Sequence, residues 1–163
     1  MIEVVDNILS KDTLTKVIEH NNKMNMRSLC ANSLHNWPEE IIHFSKEVLV
    51  YILDKNSQEF KLIEKDIGKC SSVMYYYWQP GSYIAWHHDK FYHNAVTIYL
   101  NDEWNYKDGG LFQYMDKDIK TIIPKYNRGV IQTDLVQHST TITTTDSPIR
   151  KSIQAFQMDK EKT

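Results

Sequence analysis

The sequence has little glycine and proline, 5 and 4 among 163 residues. That scarcity excludes long flexible linkers and a disordered, low-complexity chain. Its 2 cysteines, Cys30 and Cys70, form no CxxC pair, which excludes a disulfide framework and is expected of reduced thiols in a cytoplasmic protein. Positive charge is not in excess: 19 Lys and Arg stand against 21 Asp and Glu, a net charge of -2. With no basic surplus to neutralise a phosphate backbone, nucleic acid is not an expected partner. No apolar run approaches the roughly 20 residues that span a bilayer, so no membrane partner is expected. The opening Met1-Ile2-Glu3 lacks the cationic start and apolar core of a secretory signal. The remainder, 41% hydrophobic and 25% charged, is the composition of a globular protein, read as a single domain over 1–163.

The patterning changes near residue 70. Ile2 to Val5 reads as an edge strand. Ser10 is a good N-cap, and Leu14, Val17 and Ile18 follow at helical spacing, so a helix is expected to end near Asn21-Asn22. Asn36-Trp37-Pro38-Glu39-Glu40 has a helix-start composition, and the apolar stripe Ile41, Ile42, Val48, Leu49, Ile52 and Leu53 predicts a second helix to about Lys55. Phe60 to Ile63 fits either a short helix or a strand. From Val73 onward about eight short runs rich in β-branched and aromatic residues are separated by turn chemistry such as Gln79-Pro80-Gly81-Ser82 and Asp108-Gly109-Gly110. The fold class expected is α+β: a jelly-roll core over about 71–158, backed by a helix-rich support over about 1–70.

The 7 histidines are unevenly spread. His87, His88 and His93 sit together and His138 stands alone downstream. In Trp86-His87-His88-Asp89, side chains at i and i+2 of a strand share a face, so His87 and Asp89 can converge on one ion while His88 points away. With His138 as third donor, the set is two imidazoles and one carboxylate, which leaves open positions on Fe(II) for a cosubstrate and oxygen. The same three donors also suit zinc with a water. His20, His35 and His43 fall in the helical half and need no special role.

Beyond the metal donors, Tyr77, Pro80-Gly81, His87-His88-Asp89, Ala95 to Asn101, Trp104, Asp108-Gly109-Gly110-Leu111-Phe112, Pro124, Asn127, Gly129-Val130, His138-Ser139 and Arg150-Lys151-Ser152-Ile153 follow one another in an order that, with the opening Val4 to Ser10, resembles the Fe(II)/2-oxoglutarate-dependent dioxygenases of the prolyl-4-hydroxylase-like branch. The resemblance runs through most of the chain and implies a double-stranded β-helix. It implies that His87, Asp89 and His138 hold iron, and that Arg150 binds the distal carboxylate of 2-oxoglutarate. A planar guanidinium suits that task through two parallel charge-assisted bonds. Ser152 shares the strand face of Arg150, and Lys151 lies on the other. Tyr77 stands where relatives carry a tyrosine for the same cosubstrate, with Tyr75 and Tyr76 as rivals. Relatives also place a hydroxyl on the strand after the HxD motif; the inward position is expected at Ile98, with Thr97 and Tyr99 on the other face.

The activity implied is hydroxylation of an unactivated C–H bond, with Fe(II), 2-oxoglutarate, O2 and the accessory reductant ascorbate as cofactors and cosubstrates. The branch favours a prolyl residue in a peptide or protein. A free amino acid or small metabolite is an alternative, as are a nucleic-acid demethylase and a non-enzymic cupin-like metal-binding module. Lys90, Tyr92 and Trp104 fall near the expected mouth, as candidate substrate contacts. Gly109-Gly110 is expected to be a turn with positive φ and no direct chemistry.

Overall fold

Val73-Met74-Tyr75-Tyr76-Tyr77-Trp78 is apolar or aromatic at every position, so a strand built from it must be covered on both faces. In the computed structural model, which describes residues 1–24, 48–89, 94–133 and 136–157, it is. The strand β3 (Cys70–Trp78) lies in a six-stranded antiparallel sheet with β1 (Ile2–Asp6), β2 (Val48–Ile52), β5 (Asn94–Tyr99), β8 (Arg128–Thr133) and β10 (Arg150–Gln157). Their order is β1-β8-β5-β10-β3-β2. A second, four-stranded antiparallel sheet has the order β4-β9-β6-β7, built from β4 (Ile84–His87), β6 (Phe112–Asp116), β7 (Asp118–Ile122) and β9 (His138–Thr140). The two sheets form the expected jelly roll.

One face of the large sheet carries Val73, Tyr75, Tyr77, Val96, Ile98, Ile153 and Ala155. These pack with Leu9, Val17, Phe60 and Ile63 from the N-terminal segment and the helices α1 (Lys11–Lys23) and α2 (Gln58–Ile67). The opposite face carries Val48, Val50, Tyr76, Trp78, Tyr99 and Val130, which meet Ile84, Phe112 and Ile122 of the small sheet. This second layer is the interior of the roll.

Local chemistry fixes the supports. Ser10 caps α1 by accepting from Thr13 N, as expected. Ser57 caps α2 in the same way through Phe60 N, and Gly68 ends it with φ +97°. Asn127, itself at φ +55°, donates from Nδ2 to Leu9 O at 2.9 Å and accepts from Leu9 N at 3.0 Å, which joins the entry of α1 to the sheet. Beside it a Cβ on Gly129 would lie 2.3 Å from Ile8 Cδ1.

The expected strands from Val73 onward are all present, and Ile2–Asp6 is an edge strand of the large sheet. The second helix expected to reach Lys55 is corrected in part. Val48–Ile52 is strand β2, paired with β3 from Val48↔Trp78 to Ile52↔Met74. Its run Val-Leu-Val-Tyr-Ile suits both periods, and the open edge of β3 decides for the strand. The start of that expected helix, with Ile41 and Ile42, lies outside the described residues. Phe60 to Ile63 resolves as helix. Among the described residues no helix is long and apolar enough to cross a membrane.

Candidate metal and cosubstrate site

His87 ends β4 and His138 opens β9, and the two are direct partners in the ladder joining those strands. Their rings lie 4.2 Å apart between centroids. Each Nδ1 faces a backbone carbonyl: His87 that of Ala85 at 2.8 Å and His138 that of Val136 at 2.9 Å. A carbonyl only accepts, so each Nδ1 carries the proton and each Nε2 presents a lone pair. Asp89 closes the group, with Oδ1 3.8 Å from His87 Nε2 and Oδ2 3.7 Å from His138 Nε2. One ligand atom from each of the three residues lies within 4.8 Å of the others. Burial, reinforced by the neighbouring His138, lowers the His87 pKa to about 4, so its free lone pair is retained at neutral pH.

The expected metal donors are therefore brought together, as a polar cluster lacking any internal hydrogen bond between the two Nε2 atoms and the carboxylate. Outward-facing Nε2 lone pairs oriented by carbonyls, plus a carboxylate, are a donor set suited to a divalent first-row metal. His88 is not part of the set.

Arg150 opens β10 and is only 1% exposed. Its guanidinium is sandwiched between Trp78 and Tyr99, with Cζ 4.9 Å from each ring centroid. Among the described residues Nε and Nη1 have no hydrogen-bond partner, and neither do the neighbouring Tyr99 hydroxyl and Trp78 Nε1. Burial drives the Arg150 pKa down, opposed mainly by Tyr99, yet a guanidinium stays charged. A buried cation with unfilled donors is costly unless an anion joins it. The pocket therefore fits a carboxylate.

The backbone on both sides of Arg150 is fixed. Asn101 Nδ2 donates to Ile149 O at 2.9 Å, and Asn101 Oδ1 accepts from Lys151 N at 2.6 Å. Arg150 and the donor cluster share one interior: Phe112 packs in one cluster with Tyr99, and its ring stacks on His138 with centroids 5.4 Å apart.

A scan of family models matches the 2OG-Fe(II) oxygenase superfamily over residues 71–157, more than half of the chain. The chain belongs to the 2OG-Fe(II) oxygenase superfamily. Among solved structures it is similar to a Pseudomonas putida prolyl-4-hydroxylase, with TM-score 0.68 and 15% identity over 97% of this chain and 92% of that one. It is also similar to a Trichoplax adhaerens prolyl hydroxylase solved with a peptide fragment of the hypoxia inducible factor oxygen degradation domain. There the TM-score is 0.73 and the identity 14%, over 98% and 84% of the two chains. A 2OG-Fe(II) oxygenase family oxidoreductase from Burkholderia pseudomallei gives 0.63 and 13%, over 95% and 84%. No curated protein sequence is significantly similar to this one. For this oxygenase, then, the cofactors implied are Fe(II), 2-oxoglutarate and O2, and the His-Asp-His cluster fits the metal.

Several expectations about the cosubstrate pocket are corrected by register. Arg150 pairs with Trp78 and Ser152 with both Tyr76 and Tyr99. Paired residues share a face, so Ser152, Tyr76, Trp78 and Tyr99 line the interior with Arg150. Tyr77 is on the opposite face, where its hydroxyl donates to Asn21 O at 3.3 Å under α1, and Tyr75 packs there too, with its hydroxyl 3.2 Å from His20 Nδ1. Of the three tyrosines it is Tyr76 that faces the pocket. Ile98 is likewise in the helix-side core, and the inward hydroxyls of β5 are those of Thr97, which donates to Gln154 Oε1 at 2.7 Å, and Tyr99. Lys151 is on the face opposite Arg150 as expected, on the helix side, with Nζ 3.3 Å from Asn22 Oδ1 of α1.

Trp104 is half-buried beside the Gly109-Gly110 turn. Its Nε1 donates to Gly109 O at 3.0 Å. A Cβ on Gly110 would meet Trp104 Cζ2 at 3.3 Å and Arg150 Cδ at 2.8 Å, so Trp104 and this turn brace the stem of Arg150. Lys90 and Tyr92 lie outside the described residues. Trp78 is a pocket residue that no sequence motif marks; its pairing with Arg150 places it there.

Proposed function

We propose that this chain is a 2-oxoglutarate-dependent dioxygenase that hydroxylates an unactivated C–H bond, with a prolyl residue of a peptide or protein as substrate. The observation that carries the reading is the pairing of two unsatisfied sites in one interior. One is a three-donor metal cluster, and the other is a buried, uncompensated Arg150 cation. His87, Asp89 and His138 would hold Fe(II), and Arg150 would hold the far carboxylate of 2-oxoglutarate, aided by the Tyr99 hydroxyl and by Ser152. When bound, iron, 2-oxoglutarate and O2 together supply an oxidant that converts C–H to C–OH as 2-oxoglutarate leaves as succinate and CO2.

The protein's part is orientation and exclusion of water. The two carbonyls fix both imidazole tautomers. Asn101 fixes the backbone of Arg150. Trp78 and Tyr99 hold its guanidinium flat, so that a carboxylate can approach only along the edge. Phe112 closes the side of His138.

The prolyl choice rests on the two prolyl hydroxylases among the structural neighbours, of which one was solved with a peptide. Ascorbate would serve as accessory reductant. A cytoplasmic setting suits Fe(II) and the free, buried thiol of Cys70.

The test is succinate formation from 2-oxoglutarate with Fe(II), across proline-containing peptides, free amino acids and a methylated oligonucleotide. Stimulation by proline peptides is expected. Stimulation by free amino acids alone would replace the prolyl assignment and leave the oxygenase. Tight zinc binding with no 2-oxoglutarate turnover under any condition would overturn both.

A further inference from the structure

The three donors are not equally anchored. His87 and His138 are locked twice, by their mutual ladder pairing and by the Nδ1 bonds to Ala85 O and Val136 O. Asp89 lies two residues past the end of β4, outside the ladder. Apart from the histidines, the one side chain that holds it among the described residues is Gln132, whose Nε2 donates to Asp89 Oδ2 at 3.2 Å. A carboxylate only accepts, so the amide nitrogen must face it. Gln132 itself is rigidly placed. It is 4% exposed, on β8, between β1 through Ile2 and β5 through Ala95. The bond therefore reaches from the large sheet to the loop that follows the small one.

We propose that Gln132 is a positioning residue for the metal centre, holding Asp89 by one carboxylate oxygen so that the other serves as a single metal ligand. The chemical consequence is coordination number. A carboxylate free to rotate can chelate through both oxygens and fill a position that a two-point cosubstrate and O2 need. With Oδ2 engaged by the amide, Asp89 contributes one bond and the open face is kept. The proposal rests on the metal reading of the three donors.

The test uses the full chain without iron or 2-oxoglutarate. Mn(II) affinity is measured by electron paramagnetic resonance, and the Co(II) complex by its d–d absorption, in the wild type, Gln132→Met and Gln132→Leu. Both variants are expected to bind Mn(II) about 10- to 100-fold more weakly. Their Co(II) bands should change, while the metal-free melting temperature moves little. In parallel, the side-chain NH2 signal of wild-type Gln132 is followed by NMR on adding Zn(II), which needs no variant to fold. It should be shielded from solvent exchange and shift on metal binding. Unchanged Mn(II) affinity and Co(II) spectrum in a folded variant, or a Gln132 NH2 signal indifferent to Zn(II), would overturn the proposal while leaving the metal site standing. Failure of the wild type to bind Mn(II), Co(II) or Zn(II) would overturn the metal reading, and this inference with it.

Discussion

Arg150 has the most to lose from a single change. It is buried with two donor nitrogens unfilled among the described residues and an aromatic ring on either side. Arg150→Gln removes the charge and the planar fork but keeps a polar group of lesser reach. Charge-assisted bonds contribute about 1.5–3 kcal/mol each, so 2-oxoglutarate should bind roughly 100-fold more weakly, with Mn(II) affinity unchanged. Equal loss of both would contradict separate metal and cosubstrate roles. Tyr99→Phe should weaken 2-oxoglutarate by about 10-fold, one lost hydrogen bond's worth, whereas Tyr77→Phe should leave it untouched, because the Tyr77 hydroxyl is spent on Asn21 O. At this scale the three metal donors were legible in the sequence, from HxD and a later histidine at the start of another strand, although the alternation rule behind them does not hold: β4 ends at His87, and Asp89 converges from the segment beyond it. The sequence did not reveal which tyrosine faces inward. In Tyr75-Tyr76-Tyr77 every phase of the alternation is occupied by the same side chain. Only the pairing of Ser152 with Tyr76 and Tyr99 sets the parity.

The turn Asp108-Gly109-Gly110 is the element whose role grew most. Both glycines have positive φ, +71° and +62°, as turn chemistry requires. They differ in what they touch. A Cβ on Gly109 would sit 1.9 Å from Ile142 O, which is backbone and cannot yield, whereas one on Gly110 would press on Arg150 Cδ at 2.8 Å and Thr143 Cγ2 at 3.0 Å. Gly109→Ala should therefore lower thermal stability more, by about 3 kcal/mol or above from strain and overpacking combined. Gly110→Ala should cost less stability but raise the 2-oxoglutarate KM selectively. Melting curves beside 2-oxoglutarate titrations separate the two. Strand β1 offers a different test. At its end Asp6 meets Arg128 Nε at 2.6 Å and Lys125 Nζ at 2.8 Å. Arg128 first, then Lys125, holds the Asp6 carboxyl well below the usual range. A depressed folded pKa means stability that is present above the unfolded value, about 3.9, and lost as pH falls through the folded one. The urea-midpoint gap between wild type and Asp6→Asn should be steady from neutral pH to about pH 5 and close below about pH 4. A gap that widened on acidification would refute the assignment. As Asp6 is on the surface, the gap should be small and shrink in salt.

For the molecule as a whole, two sheets and a helical backing split the aromatic content into two layers with different work. Tyr75 and Tyr77 join the helix side, while Tyr76, Trp78, Tyr99 and Phe112 wall the interior. The eight core strands were legible because turn residues punctuate them and β-branched residues fill them. The stretch Val48–Ile52 was not, since its apolar spacing satisfies a helix and a strand equally, and only the vacant edge of β3 makes it a strand. The resulting roll holds a cluster of metal donors at the small sheet and a cationic pocket on the large one, both facing one interior, and membership of the 2OG-Fe(II) oxygenase superfamily agrees with that arrangement. The most direct test is anaerobic titration of Fe(II)-loaded protein with 2-oxoglutarate, read by the visible metal-to-ligand charge-transfer absorption of a chelated 2-oxo acid. The account predicts a saturable band that is abolished in His87→Ala and shifted to much higher 2-oxoglutarate concentration in Arg150→Gln. No band in the wild type, or a band indifferent to both substitutions, would contradict it.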